Sequence, residues 1–142
     1  MKYLILLFVF SISFFAQTSL AGSKSSSDKK TSQTKLKISQ IKTQKPVKGI
    51  FTTQGFVAKI FVCPPCPPNT PCKPCMKNNI VVSESNIYLD NYNLSEKEMI
   101  IFMKNPKKLV IGKKYTFKIK VTEKKSTSQS INDVEIVSYK GI

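Results

Sequence analysis

The chain has 142 residues, one domain's worth, with 23 basic and 8 acidic side chains and a formal net charge of +15. It contains no His and no Trp, and every basic residue is Lys. These absences remove Ser-His-Asp and Cys-His nucleophiles, an imidazole base, mixed Cys/His zinc sites and the bidentate guanidinium fork.

The chain opens with an export signal. Lys2 supplies the positive charge, Tyr3 to Ala16 is an apolar run, and Ser19-Leu20-Ala21 places small residues at a cleavage position. The apolar run, about 14 residues, falls short of the ~20 needed to span a bilayer, so residues 1–21 are expected to be a signal peptide cleaved after Ala21. Cleavage removes one Lys and no acid, leaving 22 basic against 8 acidic side chains, or +14. The expected location is periplasmic or extracellular.

Residues 22–45 carry seven Lys, one Asp and three aliphatic side chains, Leu36, Ile38 and Ile41. So little apolar surface predicts a disordered basic tether. Such a tether serves either as an arm drawn to an anionic membrane surface or polymer or as a solubilising spacer. The Leu36, Ile38 alternation also allows an added edge strand.

From Pro46 to the C-terminus the pattern has period two, the signature of strands. Gly55 to Val62 reads as a long first strand, with Phe56, Ala58, Ile60 and Val62 on one face and Val57, Lys59 and Phe61 on the other. Gly49 and Gly55 mark expected bends or bulges. Ile80 to Ser83 is a short second strand, with Ile87 to Leu89 as a possible continuation. Met99 to Met103 is an apolar third strand, preceded by Ser95-Glu96-Lys97-Glu98, whose spacing allows one helical turn. In the fourth strand Tyr115, Phe117, Ile119 and Val121 point inward and Thr116, Lys118, Lys120 and Thr122 outward. Val134 to Tyr139 forms the fifth.

Five strands in residues 46–142, without a three-turn amphipathic helix, predict an all-β fold. Gly55-x-Val57 opens the first strand. Gly112-x-x-Tyr115-x-Phe117-x-Ile119-x-Val121 is followed by Val134-Glu135-Ile136. With this strand order the segment resembles an exported bacterial OB-fold domain, and the Asn105 to Leu109 connection replaces the helix usually found between strands three and four. The resemblance implies a five-stranded antiparallel barrel; an immunoglobulin-like β-sandwich is the runner-up.

All four cysteines lie in the Pro/Cys-rich loop 63–75, as Cys63, Cys66, Cys72 and Cys75, with six of the eight prolines. In an exported protein this spacing reads first as two disulfides. Of three connectivities, the nested one, Cys63 with Cys75 and Cys66 with Cys72, closes the loop as a hairpin. A second reading is a four-thiolate zinc or copper site. A third is redox chemistry, although a helix that would activate the first thiol is opposed by Pro67 and Pro68.

The resemblance implies a ligand face between this loop and the one joining strands four and five. The residues expected there are Lys73 and Lys77, Lys124 and Lys125, and Lys118 and Lys120, with Tyr88, Phe102 or Tyr139 as stacking surfaces. Carboxylates at Glu84, Asp90, Glu96, Glu98, Glu123, Asp133 and Glu135 lie beside turns or on polar faces, without the apolar setting that separates an acid from a base; no catalytic residue is expected. The expected function is therefore a non-enzymatic binding or structural module with a basic face. Its expected partner is a polyanion, such as an anionic glycan or envelope polymer, or a partner protein. Alternatives are a periplasmic zinc or copper protein using the four cysteines and sequence-independent capture of single-stranded nucleic acid.

Overall fold

A computed structural model describes residues 35–142 except 70, 72 and 73. The expected signal peptide and residues 22–34 of the expected tether lie outside the described residues. In chain order the elements are helix α1 (Ile38–Gln44), strand β1 (Gly49–Phe61), β2 (Asn79–Ser83), β3 (Glu98–Phe102), a 3₁₀ turn (Pro106–Lys108), β4 (Lys114–Val121) and β5 (Val134–Gly141).

The strands pair in the order β1-β2-β3-β5-β4, and β4 returns to β1, so the sheet closes into a barrel-like ring. β1 serves two neighbours: Gly49 to Phe56 pairs with β4, and Phe56 to Phe61 with β2. Antiparallel pairing throughout is corrected at one seam, because β3 and β5 run parallel and meet at Phe102↔Glu135. The sheet is mixed.

The expected faces of the first strand are also corrected. The register on β2 slips between Val57 and Lys59, so Ala58 is an extra residue and the alternation inverts there. Val57 belongs to the barrel core and Ile60 packs against it, while Ala58 turns to the other side of the sheet. The slip lies at neither glycine. Gly49 has φ +151, a conformation that favours glycine, and Gly55 lets β2 approach: a Cβ there would stand 2.6 Å from the Ser83 carbonyl oxygen. The fourth-strand alternation holds, with Tyr115, Phe117, Ile119 and Val121 buried.

The tether reading is corrected for its C-terminal part. Residues 38–44 form a helix whose Ile38 and Ile41 are fully buried among Val57, Val82, Met99 and Phe117. Each such burial is worth about 1.5–3 kcal/mol, which offsets the ordering of this short, otherwise polar segment. The Gln40 side chain accepts from Lys37 N (2.8 Å), and Glu84 accepts from both N and Oγ of Ser39 (2.7 Å each). Lys42 is buried too, donating from Nζ to the carbonyls of Ser95 (2.6 Å) and Glu98 (3.1 Å). Burial pulls its pKa below the ordinary lysine value, against the opposing pull of Glu96 and Glu98. The expected edge strand is reduced to one bridge, Lys35↔Thr52.

Every residue of β2 and β3 is buried, because both faces of these strands are covered. One face lines the ring. The other, carrying Val81, Ile100 and Phe102, lies beneath Leu89, Tyr92 and Leu94 of the connection between them. Ile87 to Leu89 therefore does not extend the second strand. It folds back over β1, where Leu89 N donates to the Ala58 carbonyl (3.1 Å).

Candidate binding surfaces

The Pro/Cys-rich loop leaves β1 and returns to β2 through a Cys63–Cys75 disulfide with Cα atoms 6.1 Å apart. Cys66 is also disulfide-bonded; Cys72, its expected partner, and Lys73 lie outside the described residues. Asn78 ties the loop to the barrel: its Oδ1 accepts from Cys63 N (2.8 Å), and its Nδ2 donates to the Lys104 carbonyl (3.0 Å). Asn69, at φ +60, makes the turn at the loop's tip. Cys63 and Cys75, as a disulfide, present no thiolate to a zinc or copper ion.

The loop between β4 and β5 is pinned from both ends. Asp133 accepts from Ser126 N (2.9 Å) and from the Ser126 hydroxyl, and Asp133 N donates to the Lys124 carbonyl (2.7 Å). Gln129 is buried and its Oε1 accepts from Ile100 N (2.9 Å). Lys124 and Lys125 stand exposed on this loop.

The outer face of β4 is a lysine stripe. Lys114, Lys118 and Lys120 share the parity that points away from the core. Six residues of strand span about 20 Å. Their cross-strand neighbours are Phe56, Thr52 and Ile50 on β1. On β5 they include Ser138 beside Lys118 and Glu135 beside Lys120, with Lys140 opposite Thr116. Beyond Lys114 the stripe runs into a hollow of about 380 Å³ lined by Lys35, Lys37, Gln54 and Glu84. Glu84 is occupied by Ser39, and the ion pair seen among the described residues, Lys48–Glu123, lies just past the Lys120 end of the strand.

A separate groove of about 600 Å³ lies against the disulfide. Phe102, Met103 and Ile136 give it apolar walls; Lys77, Lys104 and Glu135 carry its charge.

The expected site residues are thus divided. Lys118 and Lys120 stand together on β4, Lys77 belongs to the groove, and Tyr88 is exposed on the β2–β3 connection. Phe102, 9% exposed, packs against Ala58, Val81 and Ile100 and lines the groove rather than the lysine stripe. Tyr139 is 38% exposed and meets Tyr115 edge-on, with centroids 6.1 Å apart. Lys114 was legible in the sequence as the next lysine of the same parity as Lys118 and Lys120, with Thr116 between. Lys35 joins the stripe through its bridge to Thr52, and Lys37 as the residue that caps the unexpected helix.

Among the described residues no helix is long and apolar enough to cross a membrane. No family model matches the chain, and comparison with the curated proteins and with the solved structures found no match.

Proposed function

We propose that the chain is an exported, non-enzymatic binding module of OB-like fold that holds an anionic polymer, an acidic glycan or envelope polymer, along the lysine stripe of β4. The observation that carries this reading is the run Lys35, Lys37, Lys114, Lys118 and Lys120, which lies outside the core with no ion-pair partner among the described residues; Glu135 stands opposite Lys120, Glu84 is occupied by Ser39, and Glu123 beyond β4 is paired with Lys48. Unpaired lysines on a rigid strand form a positive field that a polyanion can neutralise without rearranging the protein.

The OB-like part of the proposal is supported by the strand order β1-β2-β3-β5-β4 with a parallel β3–β5 seam. The exported part is supported by the Cys63–Cys75 disulfide, which agrees with an oxidising compartment. The strand-two and strand-three face that serves many OB-folds as a ligand surface is here covered by Leu89, Tyr92 and Leu94. That cover favours the β4 face over base stacking on β2 and β3, and so an anionic polymer without bases to stack, a glycan or envelope polymer, over single-stranded nucleic acid.

Heparin serves as the anionic-glycan probe. The double reversal Lys118→Glu with Lys120→Glu is expected to weaken binding about tenfold or more, while Lys107→Glu with Lys108→Glu, on the 3₁₀ turn, leaves more of it intact. Equal losses from both pairs would overturn the assignment to β4.

A further inference from the structure

The groove beside the disulfide has a different character from the stripe, and it adjoins unpaired strand edge. β5 is eight residues long, yet β3 meets it at Glu135 alone. From Ile136 to Gly141 the side of β5 away from β4 has no strand neighbour among the described residues. Farther along β3 the equivalent position is taken: Gln129 bonds Ile100 from the β4–β5 loop. The open side of β5 therefore begins where the groove lies, since Ile136, its first residue, lines the groove beside the paired Glu135.

This edge carries one of the devices that keep an edge strand from pairing, the register shift that leaves Val137 as an extra residue opposite Lys118 and Ile119, but it lacks others. It has no proline, and Val137 and Tyr139 are 50% and 38% exposed, with Ile142 beyond them at 70%. A single charged side chain, Lys140, lies within Ile136 to Gly141. At the groove end, Phe102, Met103 and Ile136 offer apolar contact, and the Cys63–Cys75 disulfide fixes the wall opposite.

We propose that this groove and the free edge of β5 form a docking site for an extended, acidic segment of a partner protein, which adds to the sheet as a strand. Main-chain hydrogen bonds to β5 supply register-independent affinity, and side chains on alternate residues supply selectivity. One set of alternate residues turns apolar groups onto Phe102, Met103 and Ile136. The other carries carboxylates to Lys77 and Lys104, both exposed and without an ion-pair partner among the described residues.

Charge selects this occupant. A second copy of the chain would bring 23 basic against 8 acidic side chains to a site where Lys77 and Lys104 outweigh one carboxylate, Glu135, itself opposite Lys120, and its own β5 would bring Lys140. Residues 22–34 of the same chain contain three Lys, one Asp and no large apolar side chain, so they have nothing to place on the groove's apolar wall.

The test uses the purified protein and a synthetic peptide of alternating Val and Glu, about ten residues long to match a strand. Amide resonances of Ile136, Val137 and Tyr139 are expected to shift on binding and their hydrogen exchange to slow. Lys77→Glu with Lys104→Glu, both at exposed positions, is expected to weaken binding about tenfold or more, whereas Lys118→Glu with Lys120→Glu retains it. The same peptide N-methylated on alternate residues should fail to bind. The proposal is overturned if the Val/Glu peptide does not bind, if a Ser/Glu peptide binds equally well, if binding is lost with the β4 lysines instead, or if sedimentation shows that β5 is occupied by a second copy of the chain.

Discussion

The side-chain amide of Gln129 lies on the main chain of Ile100 as a neighbouring strand would: Oε1 accepts from Ile100 N at 2.9 Å, and Nε2 lies 3.4 Å from the Ile100 carbonyl oxygen. β3 pairs with β5 at Phe102 alone, so this amide completes a seam that the strands leave unfinished. Gln129→Ala leaves a buried N–H without a partner, a cost of about 1–3 kcal/mol. Urea unfolding is expected to show that loss, with faster exchange at the Ile100 amide; an unchanged midpoint would mean that the seam does not depend on Gln129.

Gly55 is required by space rather than by φ. A methyl group there would meet Val82 and stand 2.6 Å from the Ser83 carbonyl oxygen, whereas at Gly141 the nearest atom, on the Tyr115 ring, is 3.9 Å away. Gly55→Ala is expected to cost about 1–3 kcal/mol, and Gly141→Ala to leave the thermal midpoint nearly unchanged. Comparable losses at both positions would contradict the close approach of β1 and β2.

Lys42 gives the molecule an alkaline signature. Its folded-state pKa lies below the value of 10.5 for a free lysine because burial disfavours the ammonium. Between the folded value and 10.5 the unfolded chain therefore binds more protons, and stability gains from Lys42 as pH rises through that window. Lys42→Met removes two hydrogen bonds to carbonyls, a loss of about 1–3 kcal/mol at neutral pH. The stability difference between wild type and Lys42→Met is expected to widen as pH approaches 10.5; a difference that narrows would contradict the placement of Nζ.

The disulfide braces the groove more than the barrel. Cys63 and Cys75 are 12 residues apart, for which chain entropy gives about 3 kcal/mol, and neither belongs to the barrel core. Cys63→Ala with Cys75→Ala is expected to lower stability by about 2–3 kcal/mol while keeping the β-rich circular dichroism spectrum. Loss of the spectrum would show that the loop is needed for folding.

Much of this architecture was legible in the residues. The alternation from Tyr115 to Val121 identifies β4 and its lysine face, because one side of that strand is buried and the other wet. β1 was harder, since the extra residue at Ala58 reverses its faces and no local signal marks it. α1 was missed because its segment is lysine-rich and its two isoleucines gain their burial only from Val82, Met99 and Phe117, which are remote in sequence. The parallel β3–β5 contact and the cover over Ile100 and Phe102 are likewise tertiary facts that strand patterns do not carry.

The salt dependence of heparin binding tests the central claim most directly. A polymer held by the lysines of β4 releases counterions on binding, so the logarithm of affinity should fall linearly and steeply with the logarithm of salt concentration, and less steeply once Lys118 and Lys120 are replaced by Glu. An affinity that salt leaves unchanged, or a slope indifferent to those two replacements, would contradict the account.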